Sequence, residues 1–89
     1  MESKATFKPF SQLAVWVTLY KTIGKNVKKF RTEKGLTQLE LSLAMGYKSV
    51  SLVSAAELYT NNKHFNIEHL QKISKILNVS IAAFFEENC

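Results

Sequence analysis

Apolar residues recur at helical spacing along most of the chain, and the runs are separated by glycine, asparagine and serine. Ile23, Val27 and Phe30 fall on one side of a helix over residues 23–34, with Lys21, Lys25, Lys28 and Lys29 on the other. Gly35 ends it. A second helix starts at Thr37, where Thr37 with Glu40 makes a capping-box pattern and Leu36 with Leu41 is spaced as a hydrophobic staple. Leu41, Ala44 and Met45 give it an apolar face, and Gly46 supplies the residue that takes φ > 0 and stops it. Ser49 or Ser51 caps a third helix, in which Val50, Val53 and Ala56 fall three apart. Residues 58–65 read as a loop marked by Thr60, Asn61 and Asn62. Asn66 caps a fourth helix with Ile67, Leu70, Ile73 and Leu77 at core spacing, and Asn78 is its left-handed end. Ser80 caps a short fifth helix in which Ile81, Phe84 and Phe85 face inward.

Ahead of these five helices lies a stretch of another kind. Residues 9–20, PFSQLAVWVTLY, carry no charge. Their Val, Trp, Thr and Tyr favour a strand, whereas Pro9 at a helix-start position and the spacing of Phe10, Leu13, Val17 and Tyr20 favour a helix, which fits slightly better. Apolar residues on every side require that something cover it. Residues 1–8 are polar and expected to fray.

Residues 36–57, LTQLELSLAMGYKSVSLVSAAE, thus form two short helices around a glycine bend, the helix-turn-helix arrangement that presents its second helix to a DNA major groove. Leu36-Thr37-Gln38, Leu41, Gly46, Ser51 with Val53 and Ser54, and Glu57, followed by Leu70, Lys72, Ile73, Leu77 and Asn78-Val79-Ser80, resemble in order the motifs of the lambda repressor-like (Cro/repressor, XRE) helix-turn-helix family. The resemblance runs from about Ile23 to Phe85. It implies an all-α fold, a compact five-helix lambda repressor-like DNA-binding domain over residues 22–89, here preceded by an apolar N-terminal segment, residues 1–21, for dimerisation or packing. It also implies that Arg31, at the end of the first helix, pairs with Glu57 on the third.

Composition sharpens this reading. At 89 residues with 46% hydrophobic content the chain is one small folded domain whose limited core would gain from dimerisation. Its single cysteine, Cys89, excludes an intramolecular disulfide and suits a reducing cytoplasm, and no stretch reads as a secretory signal or a membrane span. The net charge of +5 is uneven: Lys4, Lys8, Lys21, Lys25, Lys28, Lys29, Arg31 and Lys34 face only Glu2 and Glu33 in the first part of the chain. A nucleic-acid partner accounts for such a bias as well as a solvated helix face does.

Enzyme chemistry finds no support. His64 and His69 lack Cys or carboxylate partners at ligand spacing, there is no glycine-rich phosphate loop, and Glu86-Glu87 has nothing nearby to separate two pKa values. No catalytic residue, metal, cofactor or small-molecule ligand is expected.

By family position, Gln38 would lie on the DNA backbone near the first base of the site. Ser49, Ser51 and Ala55 would face the groove with Ser54 beside them, and Lys48 and Lys63 would stand at its rims. Lys25 and Lys28 of the basic first helix would meet phosphates, as would Asn61 and Asn62. The helix departs from the family in two ways. Between Ser49 and Glu57 there is no Arg, Lys, Gln or Asn to form bidentate pairs with bases; Leu52 and Ala55 stand where the family commonly has Thr and Lys or Arg. Leu39 and Leu43 replace charged residues on the second helix, and either the N-terminal segment covers them or they form a contact surface. Two functions follow: a transcriptional regulator binding double-stranded operator DNA as a homodimer, or a protein-interaction module on the same scaffold.

Overall fold

One long rod sets the frame of the molecule. The computed structural model describes residues 9–87, with side chains from residue 15 onward, and its first helix, α1, spans Pro9–Glu33. Pro9 is its first residue, where a missing N–H costs nothing. At the other end Gly35, at φ 77°, lets its N–H reach the Thr32 carbonyl (3.0 Å) and the Leu36 N–H reach that of Arg31 (3.1 Å). Residues 9–20 are therefore helical rather than extended. No proline or positive-φ residue separates them from residues 23–34, so the two expected segments are one helix, about 37 Å long. The expectations for residues 1–8, for the Phe10 and Leu13 side chains and for Cys89 lie outside the described residues.

The remaining elements fold against the C-terminal part of this rod: α2 (Gln38–Ala44), α3 (Ser51–Leu58), a 3₁₀ turn (Thr60–Asn62), α4 (Ile67–Leu77) and a second 3₁₀ turn (Ile81–Phe85). The described residues thus hold four α-helices, not five. The last segment has only five residues between its Ser80 cap and Glu86, too few to repay α-helix nucleation, and it closes with i→i+3 bonds such as Ala83 N–H to the Ser80 carbonyl at 2.9 Å. Leu58 belongs to α3 rather than to a loop, and Tyr59 ends that helix in the left-handed region at φ 57°.

Ile23, Val27, Leu41, Met45, Val53, Ala56, Phe65, Leu70, Ile73, Leu77 and Phe84 form one buried cluster. α1 packs on α3, α4 and the C-terminal 3₁₀ turn, while α2 packs on α3 and α4. Ala44 and Ile67, expected to point inward, are exposed, and Val50 is half-buried. Ile67 is the first residue of α4, where the body of the domain ends.

Two polar or small residues of α1 decide how closely it packs. A Cβ on Gly24 would lie 2.6 Å from the carbonyl oxygens of both Ala56 and Glu57, so only glycine lets α1 approach the end of α3 this closely. Buried Asn26 donates through Nδ2 to the carbonyls of Phe84 (2.8 Å) and Glu86 (2.7 Å), tying α1 to the C-terminal turn.

Candidate nucleic-acid interface

Local chemistry fixes the α2–turn–α3 unit at each end. Thr37 Oγ1 accepts from the Glu40 N–H (3.0 Å) and Glu40 Oε1 accepts from the Thr37 N–H (2.8 Å), the expected capping box. Gly46, at φ 98°, reverses the chain, and the Tyr47 N–H returns to the Ser42 carbonyl at 3.0 Å. At the start of α3 the cap position is held by Val50, and of the two serines it is Ser49 whose Oγ accepts the Ser51 N–H, at 3.3 Å.

Beneath this unit lies a buried charged cluster. Arg31 Nε donates to Glu57 Oε2 at 2.7 Å and Nη2 to Oε1 at 3.1 Å, while Nη1 holds the Leu36 carbonyl at 2.8 Å. The fork-to-fork geometry supplies the attraction that offsets burial of two charges. Gln38 Nε2 completes it, donating to Glu57 Oε1 at 2.8 Å. One carboxylate thus joins the end of α1, the start of α2 and the end of α3, and fixes the angle at which α3 is presented.

Val53, Ala56 and Glu57 are the buried side of α3. The opposite side carries Ser51, Ala55 and Leu58 at i, i+4 and i+7, with Ser54 and Leu52 half-buried along its flanks. Leu58, 68% exposed, continues this outer stripe, since α3 runs on through it rather than giving way to a loop there. Exposed Lys48 and Ser49 stand before the helix, and exposed Asn61, Asn62 and Lys63 follow it. Lys25 and Lys28 are exposed on α1. Gly24 marks the side of α1 that meets α3, so Lys28, about 40° round from it, lies nearer α3 than Lys25, about 100° round. Gln38 is half-buried on Glu57.

Leu39 and Leu43 are about half exposed, so no described part of α1 covers them. Among the described residues, burial of the His69 imidazole pushes its pKa below the ordinary value; Glu68 opposes this, and Lys72 and His64 add to it. Its Nδ1 accepts the Asn66 N–H at 3.1 Å while Asn66 Oδ1 accepts the His69 N–H at 2.8 Å, a second reciprocal cap, which starts α4.

A family model described as Helix-turn-helix, of the Cro/C1, XRE-like type, matches residues 27–84. The chain belongs to that family. The Cro/C1-type helix-turn-helix family is one of DNA-binding domains and transcription regulators rather than enzymes. The match begins inside α1 at Val27 and takes in the α2–turn–α3 unit and α4, leaving the first two-thirds of α1 ahead of it. No curated protein matches the chain. Among the described residues no helix is long and apolar enough to cross a membrane, and no group of three or more His, Cys, Asp or Glu is placed to hold a metal ion.

Proposed function

We propose that the protein is a cytoplasmic transcriptional regulator that binds operator DNA as a homodimer, holding the duplex mainly by its phosphates and reading bases only lightly. The observation that carries this reading is the make-up of the outer face of α3. Ser51, Ala55 and Leu58 offer a major groove one hydroxyl and apolar contact with a thymine methyl, whereas exposed Lys48 and Lys63 stand at the two ends of the helix and Lys25 and Lys28 on α1. Such a surface gains affinity from charge and little discrimination from hydrogen bonds. Gln38, held by Glu57, would present its remaining amide atoms to the backbone near the start of the site. Titration into labelled duplexes of different sequence tests the reading. Affinities that differ between sequences by roughly ten- to a hundredfold, and a Ser51→Ala variant that alters this preference more than the mean affinity, are expected. Identical affinity for every duplex would remove operator selection from it.

The exposure of Leu39 and Leu43 favours a second reading, in which the scaffold docks a protein through α2. Replacing both with glutamine separates the two, since DNA affinity survives under the first reading and protein capture is lost under the second.

A further inference from the structure

Where α1 leaves the body of the domain it roofs a groove of about 300 Å³ on the side of α4's first turn. Its walls are Trp16, Leu19, Phe65, Ile67, Leu70 and Phe85, and two of them, Trp16 at 56% and Ile67 at 66%, are among the most exposed large apolar residues described. Its polar residues are few, Tyr20, His64 and Asn66. The His64 ring stacks on Tyr20 at 3.8 Å and directs Nδ1 to the Phe65 carbonyl, and Asn66 Oδ1 is committed to the cap of α4. A small-molecule site needs a few convergent polar groups to orient its ligand, and the walls of this groove are overwhelmingly apolar. Such walls suit an occupant that is apolar and uncharged along its length.

The chain itself contains such an element. We infer that the groove receives the N-terminal part of α1, residues 9–20, from a second copy of the chain. This deepens the homodimer reading and rests on it. That stretch is a helix without a single charge, and the molecule is drawn out along one axis, 48 Å against 25 and 22 Å. Area argues against the simpler arrangement of arm against arm alone. Twelve helical residues offer a face about 18 Å long and about 10 Å wide, well short of the roughly 800 Å² per partner of a stable interface. Seating each arm in the other copy's groove adds exposed Ile67 and half-buried Phe85 to the contact. It is also self-complementary, because the groove begins at the root of the arm, so one two-fold axis satisfies both copies.

Trp16 is the sole tryptophan, and its emission reports the groove directly. Sedimentation of the full chain from low to high micromolar concentration is expected to show a dimer, with Trp16 emission moving to the blue as it forms. Ile67→Glu, at a position exposed in the monomer, is expected to keep its helical circular dichroism and to weaken association at least about tenfold, because the new charge would be shut into an apolar groove. A wild-type dimer unaffected by Ile67→Glu and without the spectral change would overturn the groove assignment while leaving the dimer reading standing. A wild type that stays monomeric at every concentration would overturn both. If that monomer pelleted with anionic vesicles, the apolar arm and the lysines that follow it on α1 would be assigned to a membrane surface instead.

Discussion

Glu57 receives both Nε and Nη2 of Arg31, at 2.7 and 3.1 Å, with the two side chains 7% and 1% exposed. Truncating either partner leaves the other charge buried and unpaired, so Glu57→Ala and Arg31→Ala are each expected to lower stability by about 3–5 kcal/mol. Gln38→Ala removes one bond and leaves the ion pair intact, and is expected to cost about 1–2 kcal/mol. Urea denaturation of the three variants checks the order. Equal stability of Glu57→Ala and wild type would mean that this carboxylate does not hold α3.

Gly24 makes a sharper test of the α1–α3 contact. In an exposed helix an alanine would be better than glycine by about 1 kcal/mol. Here its Cβ would meet two backbone oxygens at 2.6 Å, which cannot swing aside as a side chain would. Gly24→Ala is therefore expected to lose about 1–3 kcal/mol net, read as a lower melting temperature. A gain in melting temperature would contradict the packing.

Ser42 gives the opposite sign. It is fully buried in α2, and its Oγ has no hydrogen-bond partner among the described residues. Ser42→Ala removes a hydroxyl whose desolvation nothing offsets, so the variant is expected to be more stable by about 1 kcal/mol. Chemical denaturation measures this directly.

His69 makes the start of α4 sensitive to acid. Folding holds its pKa below the ordinary 6.5, chiefly through burial, and its Nδ1 can accept the Asn66 N–H only when unprotonated. The unfolded chain therefore binds the proton first as pH falls. His69's contribution is complete above about 6.5 and is lost as pH falls from there through the folded value. His69→Gln keeps a side-chain acceptor at the same helical position without titrating. The fall in melting temperature between about pH 7 and 5.5 is expected to be smaller in His69→Gln than in wild type.

What the sequence disclosed and what it concealed divide along a physical line. Thr37, Gly35, Gly46, Asn66 and Asn78 act through their own backbone and near neighbours, and each stands in the structure in the role its type predicts. Ile23 and Val27 of α1 and Leu70, Ile73 and Leu77 of α4 were legible from period alone, whereas the exposure of Ile67 was not, because period says which side a residue faces but not how far that side is covered. Arg31 and Glu57 are 26 positions apart, and only the family resemblance joined them. Gly24 and Asn26 drew no notice, since a glycine within a helix and an asparagine among lysines read as neutral until α3 and the C-terminal turn pack on them. The cap of α4 by His69 escaped because a capping box is sought as Glu or Gln. The outward placing of Ser51 and Ala55 on α3 was implied by the family resemblance, while the commitment of Gln38 to Glu57 needed coordinates.

Binding of duplex DNA chiefly through phosphates is measured by the salt dependence of affinity for wild type, Lys25→Ala and Lys28→Ala on one duplex. Affinity is expected to fall steeply with salt, and each lysine that meets a phosphate should lower the slope of log K against log salt by about 1 when removed. Lys28, nearer α3, is expected to show the larger loss of affinity. Absence of detectable binding to any duplex at low salt, or binding whose slope is untouched by both substitutions, would contradict the account.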